Sequence, residues 1–407
     1  MLCVDEAHHE QRLDPGLAAL VPSSVEVAKV AAYPASISRL AGVGEIGLRA
    51  YPHLAAGVRR TLRRRDFEAV MITGSPYYPM LLAGMVKREF GLPVVLDFQD
   101  PWVTPAGDER SLFSKAGASH ALARWLEPIA LRSADFVTSV SDRQNEELAA
   151  RCPWLRADHM AAMPIGGDPD DYAALRASPP VCDVELAIDR VNLVYVGTLL
   201  PRADGVVRQL FNAIARLREE HPAIAAKLRL TFVGTSNQPN GHGRYRVTPI
   251  AAAAGVGDLV HEVPQRVPYL EALGLLARAD AILLMGSDEP HYTASKIYPA
   301  LMSGRPCLGL FHRASSAFDI LSRSGGARVL GFESVEHLAC LGDQLCEAIL
   351  QVAVEPESFG SVDPSAIEAY DARTIARGFG AIFSRIARPP GACGQPVPEF
   401  QTGSTRC

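Results

Sequence analysis

Several things are scarce in this 407-residue chain. Its eight cysteines (Cys3, Cys152, Cys182, Cys307, Cys340, Cys346, Cys393 and Cys407) form no C-x-x-C and pair with no histidine. That argues against a zinc site and a disulfide framework, and it fits a reducing cytoplasm. No apolar run approaches the roughly 20 residues that span a bilayer. The opening MLCVDEAHHEQ lacks the basic region and apolar core of a signal peptide. A net charge of −5 leaves no basic excess for nucleic acid, so none is expected as a partner. What is present is apolar residues, 48% of the chain, enough for full-sized cores. The length exceeds what one core supports, so two domains are expected.

Apolar runs alternate with helical patterns in both halves. Strands are expected at Leu2–Val4, Val25–Val30, Ala69–Thr73, Val94–Phe98, Asp135–Val140 and His159–Met163, with helices at His53–Arg65, Met80–Phe90, Ser119–Ser133 and Asp142–Ala150. Between Asp168 and Asp189 the pattern dissolves, which places the domain boundary there. It restarts with strands at Asn192–Val196, Leu228–Val233, Leu259–Val263, Ala281–Met285, Pro306–Phe311 and Ala327–Leu330. Helices are expected between them, then at Val335–Gln351 and Pro364–Arg388. Strand–helix alternation means α/β architecture, two Rossmann-like doubly wound domains. The expected division is 1–168, a linker 169–190, a second domain 191–355, a closing helix 356–388, and a tail 389–407 too poor in large apolar residues to pack.

The stretch AILLMGSDEPHYTASKIYPALMSGRPCLGLF, Ala281–Phe311, organises the second half. Thr293 or Ser295 could cap a helix carrying Ile297, Leu301 and Met302, and Gly304 would end it. Ligands of doubly wound sheets bind beyond the strands' carboxyl ends. There Gly197 and Thr198 close a strand, Arg202 offers a fork of donors, Arg266 and Val267 end another strand, and Lys296 sits at a helix start. Together they describe a nucleotide-diphosphate site. The plainer alternative makes Arg202 a surface cation and Lys296 a partner of the helix dipole. In the first half the same edge carries Gly74, Ser75, Asp97, Gln99 and Asp100 beside Trp102. Asp100 could orient an acceptor hydroxyl or take its proton; the alternative is that Asp97 and Asp100 only cap the loop. Five arginines within Arg59–Arg65 could rest on anionic lipid, or face water.

The stretch TGSPYYPMLLAGMVKREFGLPVVLDFQDPW, Thr73–Trp102, resembles bacterial family-four-type glycosyltransferases, whose segment reads S-x-P-P…K-R…G-L-P-hydrophobic-x-D-F-R-D-P-W. MPIGGDPDDY (Met163–Tyr172) is similar to that family's P-N-G-x-D-x-x-x-F. LVYVGTLLPRADG (Leu193–Gly205) and ASKIYPALMSGRPCLGL (Ala294–Leu310) resemble its donor-domain elements. The resemblance implies the GT-B fold, with two Rossmann-like domains facing a central cleft, and a last helix crossing back to the first domain. It implies a nucleotide-diphosphate sugar as donor substrate and a saccharide or lipid-linked saccharide as acceptor, in cell-surface polysaccharide synthesis. Hexosyl transfer would be retaining and would require neither metal nor cofactor. Arg202, Ser295 and Lys296 would hold the diphosphate. Asp100, with Gly74 and Ser75, would face acceptor and transferred sugar. The expected location is cytoplasmic, with a candidate peripheral contact at the inner membrane face through Arg59–Arg65.

Three departures from the family pattern stand out. Its two spaced glutamates fall on His291 and Pro299, with Glu289 nearby but out of register. Gln99 stands where many relatives have arginine. The chain enters near the family's second strand, so the start is expected to lie upstream or part of the acceptor site to be absent. A sugar-nucleotide epimerase on the same fold and a truncated, non-catalytic homologue are the alternatives.

Overall fold

The structure, a computed structural model, describes residues 1–10, 13–104, 111, 113–200, 202–236, 243–288 and 295–387. It divides into two compact units. The first holds the described residues of 1–13, 22–165 and 374 onward; the second holds 14–21 and 166–373.

The first unit contains β1 (Leu2–Val4), β2 (Ala28–Val30), β3 (Val70–Gly74), β4 (Val94–Phe98), β5 (Phe136–Ser139) and β6 (Met160–Ala162). β1 and β2 form a parallel pair, and β3-β4-β5-β6 form a parallel sheet in that order. Both pieces share one core, in which Val30 joins Leu54, Val86, Leu96 and Phe98. β4 is buried at every position, as its unbroken apolar run demands, and it carries Asp97 inward with it. The helix expected at His53 spans Ile46–Leu62. It starts early because Glu45 accepts hydrogen bonds from the Gly47 and Leu48 amides at 2.9 and 2.7 Å. Pro52 lies inside the helix rather than in its first turn, where proline ordinarily marks a start, and this masks the true beginning.

The second unit contains β7 (Val191–Val196), β8 (Leu228–Val233), β9 (Val260–Val263), β10 (Ala281–Met285), β11 (Cys307–His312) and β12 (Ala327–Phe332). All are parallel, in the order β12-β11-β10-β7-β8-β9. Successive side chains point to opposite faces of the sheet. Leu193, Tyr195, Leu283 and Met285 enter one core, while Val194, Ile282 and Leu284 enter the other. The winding direction reverses between β7 and β10, so their carboxyl ends flank the switch point.

Three further expectations about helices change. The segment without a pattern holds a helix, Pro169–Ala177, nucleated by Asp168 accepting from the Asp170 amide at 2.9 Å with Pro169 in the first turn. The helix in the organising stretch is only Ile297–Met302, its cap position is Lys296, and no side chain caps it. The closing helix is broken into Pro364–Ile367, a tight turn at Glu368–Tyr370, and Ala372–Ile386. Gly167 causes the break: its amide donates to Tyr370 O and its carbonyl accepts from the Ala372 amide, both at 2.9 Å.

Beyond Thr374 the last helix belongs to the first unit, where Ile375 and Ile382 pack with Val95, Phe136 and Met163. Ile382→Ala should therefore destabilise the first unit by about 2–5 kcal/mol. Domain-resolved denaturant unfolding should show its transition moving and the second unit's standing still; the reverse pattern would refute this packing.

Candidate functional site

In the second unit the site is built on the turn that ends β7. Gly197 has φ +133, a backbone shape that side-chain-bearing residues avoid, and a Cβ there would lie 3.3 Å from Lys296 Nζ. The Lys296 ammonium donates to Tyr195 Oη at 2.6 Å and to the Thr198 carbonyl at 3.5 Å. It also lies 4.4 Å from the Tyr195 ring centroid. Tyr195 is buried, and its hydroxyl donates to the Thr198 carbonyl at 3.1 Å. Burial pushes its pKa up, opposed by the Arg246 charge, so the phenol stays neutral and keeps its proton for that bond. From β9's end, Arg266 Nη2 donates to Thr198 Oγ1 at 3.3 Å. Gly197, Thr198, Arg266 and Lys296 are thus brought to one turn.

The other expected residues distribute differently. Arg202 adopts a left-handed φ of +68 and pairs with Asp288. Its Nη2 hydrogen-bonds Oδ2 at 3.0 Å, and its Nε lies at ion-pair distance, 2.8 Å, from Oδ1 without hydrogen-bond alignment. Val267 packs its side chain against the core and Ser295 is exposed. Glu289 and Thr293 lie outside the described residues. The six-residue helix gives little macrodipole, so the lysine itself supplies the charge.

Sequence reasoning missed the supports. Glu262, buried in β9, accepts from Thr235 Oγ1 (2.6 Å), the amides of Arg246, Val247 and Thr248 (2.9, 3.0 and 2.8 Å) and Thr248 Oγ1 (2.9 Å). Arg246 in turn donates to the carbonyls of Leu199 and Leu200 and to Asp204 at 2.7 Å, fixing the loop that bears Arg202. The one legible signal was a glutamate inside the apolar strand VHEV. Asp288 was also missed; it lies in the loop past β10, next to the glutamate that was singled out.

In the first unit, Gly74 ends β3 against Tyr77, where a Cβ would meet the ring at 2.9 Å, and Ser75 is exposed. The Gln99 amide donates to Gly74 O at 3.1 Å, tying the two loops together. Asp97 is 2% exposed and accepts from Thr73 Oγ1 (2.9 Å), Thr138 Oγ1 (2.6 Å) and Gln99 Nε2 (3.1 Å). Its carboxylate is thus occupied holding the β3–β4–β5 ends, the loop-forming reading of this residue. Asp100 lies at the surface, yet desolvation by the surrounding protein raises its carboxyl pKa. Beside it Trp102 stacks on Tyr77 (5.5 Å, 11°) and meets the Tyr78 edge at 5.9 Å. Among the described residues, no group of three or more His, Cys, Asp or Glu side chains is placed to hold a metal. Nor is any helix among them long and apolar enough to cross a membrane.

Parallel sheets of this order, with polar groups gathered at β7 and β10, define a doubly wound α/β protein. Comparison narrows the class to the GT-B glycosyltransferase fold. Sucrose-phosphate synthase from Thermosynechococcus elongatus is 16% identical over 82% of this chain and 77% of its own, with a TM-score of 0.55. The Anabaena protein HepE, in complex with UDP, is 16% identical over 89% and 86%, TM-score 0.56. A trehalose-phosphate synthase from Burkholderia xenovorans, in complex with glucose-6-phosphate, is 13% identical over 83% and 78%, TM-score 0.53. Among curated proteins none matches. Residues 3–166 match the family model for the glycosyl transferase 4-like domain, so the N-terminal part of the chain is similar to that domain.

Burial alone would raise the Glu262 pKa, but its hydroxyl and amide donors outweigh burial and leave it lowered. Its stabilisation is therefore complete above the unfolded value, about 4.3, and is lost as pH falls through the lower folded value. Glu262→Ala should cost on the order of 3 kcal/mol at pH 7. In denaturant titrations against pH, the gap to wild type should narrow below about pH 4.

Proposed function

We propose that this protein transfers a hexose, with retention, from a nucleotide-diphosphate sugar to a saccharide or lipid-linked saccharide in cell-surface polysaccharide synthesis. The observation that carries the donor half is the meeting of Lys296, Arg266 and Thr198 at the turn after β7, beside the switch point. A leaving diphosphate needs positive charge held ready, and cations on rigid elements supply it without a metal. Arg202 joins them from a surface ion pair with Asp288, its side chain 64% exposed. Such pairs are worth about 0–1 kcal/mol, so a doubly charged diphosphate can displace the carboxylate. HepE in complex with UDP has a comparable fold and supports a uridine nucleotide as the first donor to try.

Calorimetric titration with UDP should give a Kd about 10- to 100-fold weaker for Arg202→Ala and for Lys296→Ala, the loss of one charge-assisted contact each. Wild-type affinity in both variants would show that the diphosphate binds elsewhere.

On the acceptor side we assign Asp100 as the group that orients the acceptor hydroxyl and takes its proton, with Gly74, Ser75 and Gln99 shaping the loop beside it. Its raised pKa sets the sign of the pH dependence. The ionised, proton-accepting form accumulates only above the ordinary value of about 3.9, so the acid limb of kcat/KM should lie above that range. Asp100→Asn should lower kcat about 100- to 10,000-fold, abolish that limb and leave UDP binding unchanged. A location at the inner membrane face belongs to the same reading. Of its arginine cluster, Arg59 is paired with Glu89 and Arg65 with Glu26, both at 2.6 Å, leaving the exposed Arg60, Arg63 and Arg64 to offer charge to lipid.

A further inference from the structure

The helix Lys115–Leu131 of the first unit is turned against the usual pattern. Its inner face is made of Gly117, Ala123, Glu127, Ala130 and Leu131. Its outer face carries Leu122, Trp125 and Ile129, which are 38%, 66% and 40% exposed. Spacings of three and four residues put these side chains on one stripe. The exposed charges on and just past the helix are Lys115, Arg124 and Arg132, all positive. Its one acid, Glu127, is buried and held by Arg151 at 2.9 and 3.2 Å. Arg132 lies 4.8 Å over the ring of Trp154, itself 45% exposed, so a second tryptophan extends the stripe at its C-terminal end.

We propose that this stripe is a membrane-docking surface for an anionic bilayer, distinct from the arginine cluster near residue 60. Tryptophan suits the boundary between headgroups and acyl chains, where an apolar ring and a polar N–H are both accommodated. An apolar helix face whose exposed flanking charges among the described residues of the helix and its end, Lys115 and Arg132, are cations matches an interface whose headgroups are negative. The same borders count against a second copy of this chain as the occupant. A two-fold contact through this stripe would bring the Lys115 and Arg132 cations of one copy toward those of the other, like charge facing like charge. Position gives the surface a use. Tyr78, whose ring edge meets Trp102 beside Asp100, opens the turn Tyr78–Leu81, which packs on this helix. A bilayer held on the helix would lie next to the acceptor loop, which favours a lipid-linked acceptor. That last step rests on the glycosyltransferase reading; the docking surface itself does not.

Co-sedimentation of the full chain with phosphatidylcholine vesicles, with and without about 30% phosphatidylglycerol, tests it. Wild type should bind the anionic vesicles. Trp125→Ser combined with Ile129→Ser should weaken binding about tenfold or more. Arg132→Glu should weaken binding to anionic vesicles about fivefold or more and leave neutral vesicles unaffected. The first unit's denaturant transition, measured in parallel, should be unchanged in every variant, which separates lost docking from lost folding. Three outcomes would overturn the proposal. One is vesicle binding that ignores these variants but falls with Arg60→Glu and Arg64→Glu. Another is no vesicle binding together with a Trp125-dependent dimer in sedimentation equilibrium. The third is no vesicle binding at all. None of the three touches the donor site, which stands or falls on UDP binding.

Discussion

The C-terminal site depends on a buried phenol. Tyr195 sits in the middle of the sheet with its hydroxyl aimed at the backbone of the next turn, giving a hydrogen bond to the Thr198 carbonyl and receiving one from Lys296. A flexible lysine on a short, uncapped helix would otherwise sample many positions. Here its ammonium is held by a hydroxyl, a carbonyl and the face of a ring, in a part-buried position. Because burial keeps Tyr195 protonated, it remains a donor to the backbone and an acceptor from the lysine at once. Positive charge is thereby placed at the switch point before any ligand arrives.

Around that centre the supporting groups form layers. Glu262 collects the amides of residues 246–248, and Arg246 reaches from there to the carbonyls of Leu199 and Leu200. The loop bearing Arg202 is thus bound at its base to a buried carboxylate that never meets the outside. Arg202 itself is left near the surface in a reversible pair with Asp288. The base of this loop is therefore held by buried hydrogen bonds, while its arginine is held by an ion pair whose cation is mostly exposed.

The first unit follows a different economy of charge. Asp97 and Asp100 are three residues apart, yet one is enclosed by three donors while the other faces outward beside stacked aromatic rings. Two carboxylates so close in sequence acquire opposite settings from their surroundings alone, one holding strand ends together and one left open at the surface.

The strands were legible in the sequence because covered parallel strands read as short apolar runs, and Val94–Phe98, Leu228–Val233 and Ala281–Met285 fall where those runs lie. The turn glycines and the cations beyond the strand ends could be named for the same local reason. Helix limits were less legible where a distant group decided them. Gly167 breaks the closing helix from two hundred residues away, whereas the helix through Pro52 was misjudged for a local reason, its glutamate cap at Glu45. Which carboxylate is enclosed and which is open, that Asp288 takes Arg202, and that Tyr195 and Glu262 hold the site together all depend on partners far along the chain. So does the outward turn of Trp125. A sequence states its local preferences residue by residue, but burial and hydrogen-bond partnership belong to pairs, and only the folded chain brings those pairs together.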